Sequence, residues 1–184
     1  MKRHPQILER DHTALLVVDA QIKLSAVVQN GKQVVEGIGR LIKGFRVLNL
    51  QVFSTEQYPQ GLGPTDPSIT AILDSAPFQK MSFSCITVEE LTSQLQQRKI
   101  QQVLIAGIEA HVCVQQTALD LLAHDFQVQV GVDVVSSRKE LDYRTALERM
   151  SKAGVILTTV EAALFELLEV SGTGEFKEIA KLIK

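Results

Sequence analysis

Short unbroken runs of apolar residues alternate along this chain with longer stretches whose apolar residues recur every three or four positions. Leu15-Leu16-Val17-Val18 is the first run and stops at Asp19. Apolar residues at Val34, Val35, Ile38, Leu41, Ile42, Phe45 and Leu48 then form a helical stripe. Further runs at Val52–Thr55, Val103–Ala106, Val128–Val132 and Val155–Thr158 read as buried strands. Helical spacing returns at Val88–Gln97, Cys113–Ala123, Leu141–Ala153, Val160–Leu168 and Phe176–Ile183. Thr87 with Glu90 has the spacing of a capping box, and Gly154 stops the Leu141 helix. Gly61, Gly63, Pro64 and Pro67 mark a loop, with a helical turn over Ile69–Leu73.

Continuously apolar strands separated by helices predict a parallel sheet covered on both faces. Right-handed crossovers make this a doubly wound α/β sandwich in three layers, α/β/α, with a mostly parallel sheet. The pattern spans a single domain over residues 1–184, with a core of about 13–168 and a C-terminal helix at 176–183. No internal repeat or linker interrupts it. Gly37-Ile38-Gly39 lies inside a helical stripe rather than after a strand, so it is no dinucleotide fingerprint.

Composition narrows the partners. The 184 residues are 45% hydrophobic and 22% charged, with a net charge of −2. That charge gives no footprint for nucleic acid or an anionic membrane. With no Trp and 5% aromatics there is no base-stacking platform. No apolar run reaches bilayer length, and the N-terminal stretch lacks a signal-peptide core. The expectation is a cytoplasmic protein acting on a small molecule. Cys85 and Cys113, in no CxxC pair, are expected to stay thiols.

Cys113 follows Gly107-Ile108-Glu109-Ala110-His111-Val112 at a strand-to-helix turn. A helix N-terminus there would favour the thiolate and lower its pKa. A free cysteine is equally at home as a small core residue. Asp19 ends the first strand and is either a cap, a solvated charge or a general base. Lys80, between Phe78-Gln79 and Met81, either snorkels to solvent or turns toward the thiol. Together the three make a plausible nucleophilic set, with the backbone N–H groups of Glu109 and Cys113 available to an oxyanion. His111 reads as a turn residue that bonds locally or lines the pocket; His4, His12 and His124 read as surface residues. Cys85 reads as packing, though its nearness to Cys113, and with it a redox role, stays open. No Gly-x-Ser-x-Gly elbow supports a serine hydrolase.

Leu15-Leu16-Val17-Val18-Asp19-Ala20-Gln21, Lys80 and Gly107 to Val114 resemble the isochorismatase-like cysteine hydrolase superfamily over most of the chain. The resemblance implies Asp19 as base, Lys80 as charge partner, Cys113 as nucleophile and an Ile108–Glu109 cis peptide. It also implies a pocket that includes Gln21, Gln57, Tyr58 and His111, and assembly as a homo-oligomer. Thr55-Glu56-Gln57-Tyr58-Pro59, Gly61 to Thr65 and Asp133 to Arg138 resemble its branch of isochorismatase-domain-containing hydrolases. Nicotinamidases carry metal-binding Asp and His after the second strand. Gln57 and Pro59 stand there in this chain, so no metal and no other cofactor is expected. The implied activity is hydrolysis of a small amide, imide or related carbonyl compound through a thioester. The alternative is a non-catalytic ligand-binding or assembly protein on the same scaffold.

Overall fold

A computed structural model describes residues 3–184; Met1 and Lys2, which open the N-terminal stretch read above, lie outside it. Six parallel strands form one sheet: β1 (Thr13–Val18), β2 (Gln51–Gln57), β3 (Phe78–Lys80), β4 (Gln102–Ile108), β5 (Gln127–Ser136) and β6 (Ile156–Thr158). Their spatial order is β3-β2-β1-β4-β5-β6. The chain therefore builds outward from β1 to one edge, then returns and builds outward from β4 to the other. The topological switch point lies between β1 and β4, where the crevice at the carboxyl ends of the strands receives ligands in open α/β sheets.

The helices are α1 (Ile22–Ser25), α2 (Gly31–Val47), α3 (Pro59–Leu62), α4 (Pro67–Thr70), α5 (Glu89–Gln97), α6 (Gln115–Ala123), α7 (Glu140–Ala153), α8 (Val160–Leu168) and α9 (Gly174–Ile183). Strand side chains alternate between two apolar layers. Leu15, Val17, Leu104, Ala106 and Ile108 pack with Phe45 of α2, Leu164 of α8 and Ile179 of α9. Ala14, Leu16, Val103 and Ile105 pack with Leu91 of α5, Leu121 of α6 and Met150 of α7. β1 and β4 are covered on both faces, which is why they are apolar without alternation.

Several elements differ from the sequence reading. β3 escaped it because three residues, Phe-Gln-Lys, form no apolar run and pair only with the end of β2. β2 and β4 run on to Gln57 and Ile108, and β5 to Ser136. The Thr87 capping box does not form: α5 starts at Glu89, and the Thr87 hydroxyl instead donates to the Ser84 carbonyl at 3.0 Å. Cys113 does not open α6; it sits in a π-helical turn over Ala110–Val114 that precedes it. His12 is half-buried rather than a surface residue.

Two glycines permit close approach. Gly107 has φ +138°, and a Cβ there would lie 2.0 Å from the Val18 carbonyl oxygen. This lets β1 and β4 close together next to the switch point. Gly37, the residue of the rejected dinucleotide motif, allows α2 to meet β5; a Cβ would stand 2.6 Å from Val134 Cγ1.

Candidate active site

Asp19 follows β1, Gln57 ends β2, Lys80 ends β3, and Glu109 with Cys113 follows β4, all on the carboxyl edge. Asp19 has φ +49°, a left-handed backbone at the point where the chain leaves β1. Its Oδ2 accepts from Lys80 Nζ at 2.7 Å, and its Oδ1 accepts from the Thr55 hydroxyl at 2.7 Å. The ion pair is buried, with side-chain exposures of 1% for Lys80 and 0% for Asp19. Lys80 does not snorkel. Its ammonium also faces Gln57 Oε1 at 2.9 Å and the Ser82 and Phe83 carbonyls at 3.2 and 3.0 Å. Such a pair persists only when its other hydrogen-bonding positions are also filled, as they are here.

Gln57 Oε1 is the shared point of the site. It takes the Lys80 hydrogen bond and lies 4.0 Å from Cys113 Sγ. The amide is oriented because its Nε2 donates to the Met81 carbonyl at 2.8 Å. Cys113 itself is nearly buried. The structure thus brings Asp19, Lys80 and Cys113 to one place, with Gln57 joining the ammonium to the thiol.

The electrostatics differ from the sequence expectation. Burial pushes the Cys113 thiol well above its ordinary value, and the Asp19 carboxylate pushes it further, against the opposing pull of Lys80. The expected lowering fails because the thiol is inside the protein in a π turn, beside an anion. Cys85 shares the environment: burial, then Asp19, push it up to about 11. Its Sγ is 3.5 Å from the Thr55 hydroxyl that holds Asp19. Lys80 would be lowered by burial, but Asp19 and the two thiols outweigh this and its pKa is raised. The resting site is a neutral thiol beside an intact carboxylate–ammonium pair.

The Ile108–Glu109 peptide bond is cis. Glu109 is held by its side chain, whose Oε2 accepts from Arg138 N at 3.1 Å and Arg138 Nε at 3.0 Å. His111 Nδ1 is 2.9 Å from the Ser137 hydroxyl, and its Nε2 is 3.9 Å from Asp142, in keeping with a locally bonded turn residue. Gln21 is not a free pocket group: it is fully buried, accepting from Gln57 N and donating to the Gln57 and Gly63 carbonyls. Gln57 is likewise engaged at both ends of its amide. Tyr58, by contrast, is 47% exposed.

Sequence reasoning missed Thr55, Glu56, Ser137 and Arg138 as supports. The buried Glu56 carboxylate accepts from Thr65 N and its hydroxyl at 2.7 and 2.8 Å, tying down the loop that carries α3. A buried Glu in a strand was a signal available to it, since such a charge requires partners. Among the described residues, no three His, Cys, Asp or Glu side chains gather as a metal-binding group.

Residues 13–162 match the Isochorismatase domain family model. The chain belongs to the isochorismatase-domain family. Isochorismatase domain-containing protein 2 of Danio rerio is 39% identical over 171 residues, covering 93% of this chain and 86% of the relative. A protein described as secreted isochorismatase effector Isc1, from Phytophthora sojae, is 40% identical over 179 residues, covering 94% of this chain and 84% of its own length. A solved structure described as MAR1 ribonuclease from Caenorhabditis elegans superposes with a TM-score of 0.89 at 40% identity, covering 96% of this chain and 92% of that one. The isochorismatase-domain scaffold is a hydrolase scaffold, and this member has the family's open α/β sandwich.

Proposed function

We propose that this isochorismatase-domain protein is a metal-independent cysteine hydrolase that cleaves a small amide, imide or related carbonyl compound. The observation that carries the reading is the buried Asp19–Lys80 pair, 2.7 Å across, beside the Cys113 thiol at the switch point. Asp19 takes the proton from Cys113 Sγ as the sulfur attacks the carbonyl carbon. This matters more because the thiol is protonated at rest. Lys80 compensates the charge as it moves from carboxylate to sulfur. The N–H groups of Glu109 and Cys113 receive the tetrahedral oxyanion. The C–N bond breaks, the departing nitrogen takes the proton from Asp19, and a thioester remains. Water then attacks the thioester and gives its proton to Asp19, releasing the acid and restoring the thiol.

Gln57 stands where metal-dependent relatives place a carboxylate, and its amide is already committed to Lys80 and Met81. Two unpaired buried thiols suit a reducing compartment such as the cytoplasm. A phosphodiester substrate finds less support: the buried ammonium is already paired, and the net charge is −2.

The test is a panel of small amides and imides, with RNA as a control, run on wild type and Cys113→Ala. Turnover lost in Cys113→Ala, with an acyl adduct on Cys113 by mass spectrometry, is the expected result. Turnover that survives the substitution overturns the reading. Ligand binding without turnover in either protein favours the non-catalytic alternative.

A further inference from the structure

The carboxyl edge of the sheet holds every buried charged side chain among the described residues: Asp19, Glu56, Lys80 and Glu109. Each is already answered. Asp19 and Lys80 pair with one another, Glu56 is satisfied by Thr65, and Glu109 holds Arg138. No buried cation is left to receive a carboxylate or phosphate on a ligand. Bringing such an anion beside Asp19 would therefore cost desolvation without a compensating partner.

Four large apolar side chains are exposed on residues that adjoin the same site. Met81 is 69% exposed, Phe83 53%, Tyr58 47% and Ile22 39%. These residues are not scattered. The Met81 carbonyl accepts from Gln57 Nε2, the Phe83 carbonyl accepts from Lys80 Nζ, and Tyr58 N donates to the Lys80 carbonyl at 2.9 Å. Ile22 follows Gln21, whose amide brackets Gln57. Each apolar side chain is thus on a residue bonded to the site or directly next to one. Large apolar groups held at the rim of a polar centre mark a recognition surface.

We propose that the site takes an uncharged carbonyl substrate with an apolar substituent, the substituent resting on Met81, Phe83 and Tyr58 while the carbonyl reaches Cys113. This rests on the hydrolase reading above for the fate of the substrate, but not for its recognition. A neutral amide meets the paired charges without disturbing them, and the rim gains by covering its exposed apolar surface.

The experiment labels Cys113 without requiring turnover. Iodoacetamide, iodoacetate and N-hexyl iodoacetamide are compared at neutral pH, each rate divided by that of the same reagent with N-acetylcysteine, and the site identified by mass spectrometry. Iodoacetamide is expected to exceed iodoacetate at least tenfold after this correction. The N-hexyl reagent is expected to exceed iodoacetamide at least tenfold, since each methylene removed from water is worth about fourfold. Met81→Ser and Phe83→Ser should each cut the N-hexyl to iodoacetamide ratio about fivefold. These results with no amide hydrolysed would defeat the hydrolase reading and leave the recognition inference standing. Corrected rates for iodoacetate that equal or exceed those of iodoacetamide overturn the inference, as does a hexyl chain that adds nothing. Rim substitutions that change the solution mass of the protein and leave the ratio intact also overturn it, because the rim is then a contact between copies.

Discussion

Asp19 acts on Cys113 in two opposing ways. As a fixed anion it disfavours the thiolate and raises the thiol pKa; as a base it removes the proton when substrate arrives. The two can be separated. Asp19→Asn is expected to speed alkylation of Cys113 at neutral pH, because the thiolate then faces Lys80 without a competing anion. The same substitution should lower turnover about 10²–10⁴-fold, the range for loss of a general base. Rates of iodoacetamide labelling and of amide hydrolysis on the same preparation check this, and slower labelling would contradict it. Lys80→Met leaves the buried Asp19 carboxylate without its cation and should destabilise the fold by about 3–5 kcal/mol. The Asp19→Asn/Lys80→Met double variant should lose less than the sum of the singles, measured by urea unfolding.

At the scale of elements, the site depends on how closely β1 and β4 approach and on how the helices around them are held. Gly107→Ala would drive a methyl group against the Val18 carbonyl at 2.0 Å and strain a backbone at φ +138°. The expected outcome is a protein destabilised by more than about 3 kcal/mol, or one that fails to accumulate folded, read by circular dichroism and solubility. The capping of α8 offers a milder test. The Thr159 hydroxyl accepts from Ala162 N at 3.3 Å, so Thr159→Ala should cost about 1 kcal/mol in urea unfolding and leave Cys113 labelling unchanged. The elements most clearly written in the sequence were those with sustained periodicity. α8 was read at its observed bounds, and α7 differed by a single residue at its start. β3 and the π turn were not legible, because a three-residue edge strand and a single wide turn have no period to detect.

For the whole molecule, the buried thiols and Lys80 set the response to alkaline pH. Cys85 and Cys113 have ordinary values of 9.0 and are raised in the folded protein, Cys85 to about 11. The unfolded chain therefore gives up these protons first. Stability is full below pH 9.0 and falls as pH rises above it. Lys80, raised from 10.5, adds to the loss at still higher pH with the same sign. Unfolding free energy should drop by about 1.4 kcal/mol per pH unit for each thiol in that window. Cys85→Ala should flatten the slope between pH 9 and 11 relative to wild type, as followed by urea titrations at stepped pH. An unchanged slope would mean that Cys85 titrates normally in the folded state.

The sequence by itself determined the class of architecture, because a strand buried on both faces must be apolar throughout and a covering helix must be apolar on one side. It also located Asp19 at the end of the first strand, since a polar residue that closes an apolar run marks where the chain leaves the sheet, and Cys113 in the strand-to-helix connection after Gly107. Tertiary structure decided the rest. Strand order placed β1 beside both β2 and β4, and so put Thr55 against Asp19 and Gln57 between Lys80 and Cys113. It turned Lys80 inward, where four acceptors surround its ammonium. It also reversed the expected sign of the Cys113 shift. A motif records which groups are present, whereas desolvation and the distance to each neighbouring charge exist only once the chain is packed.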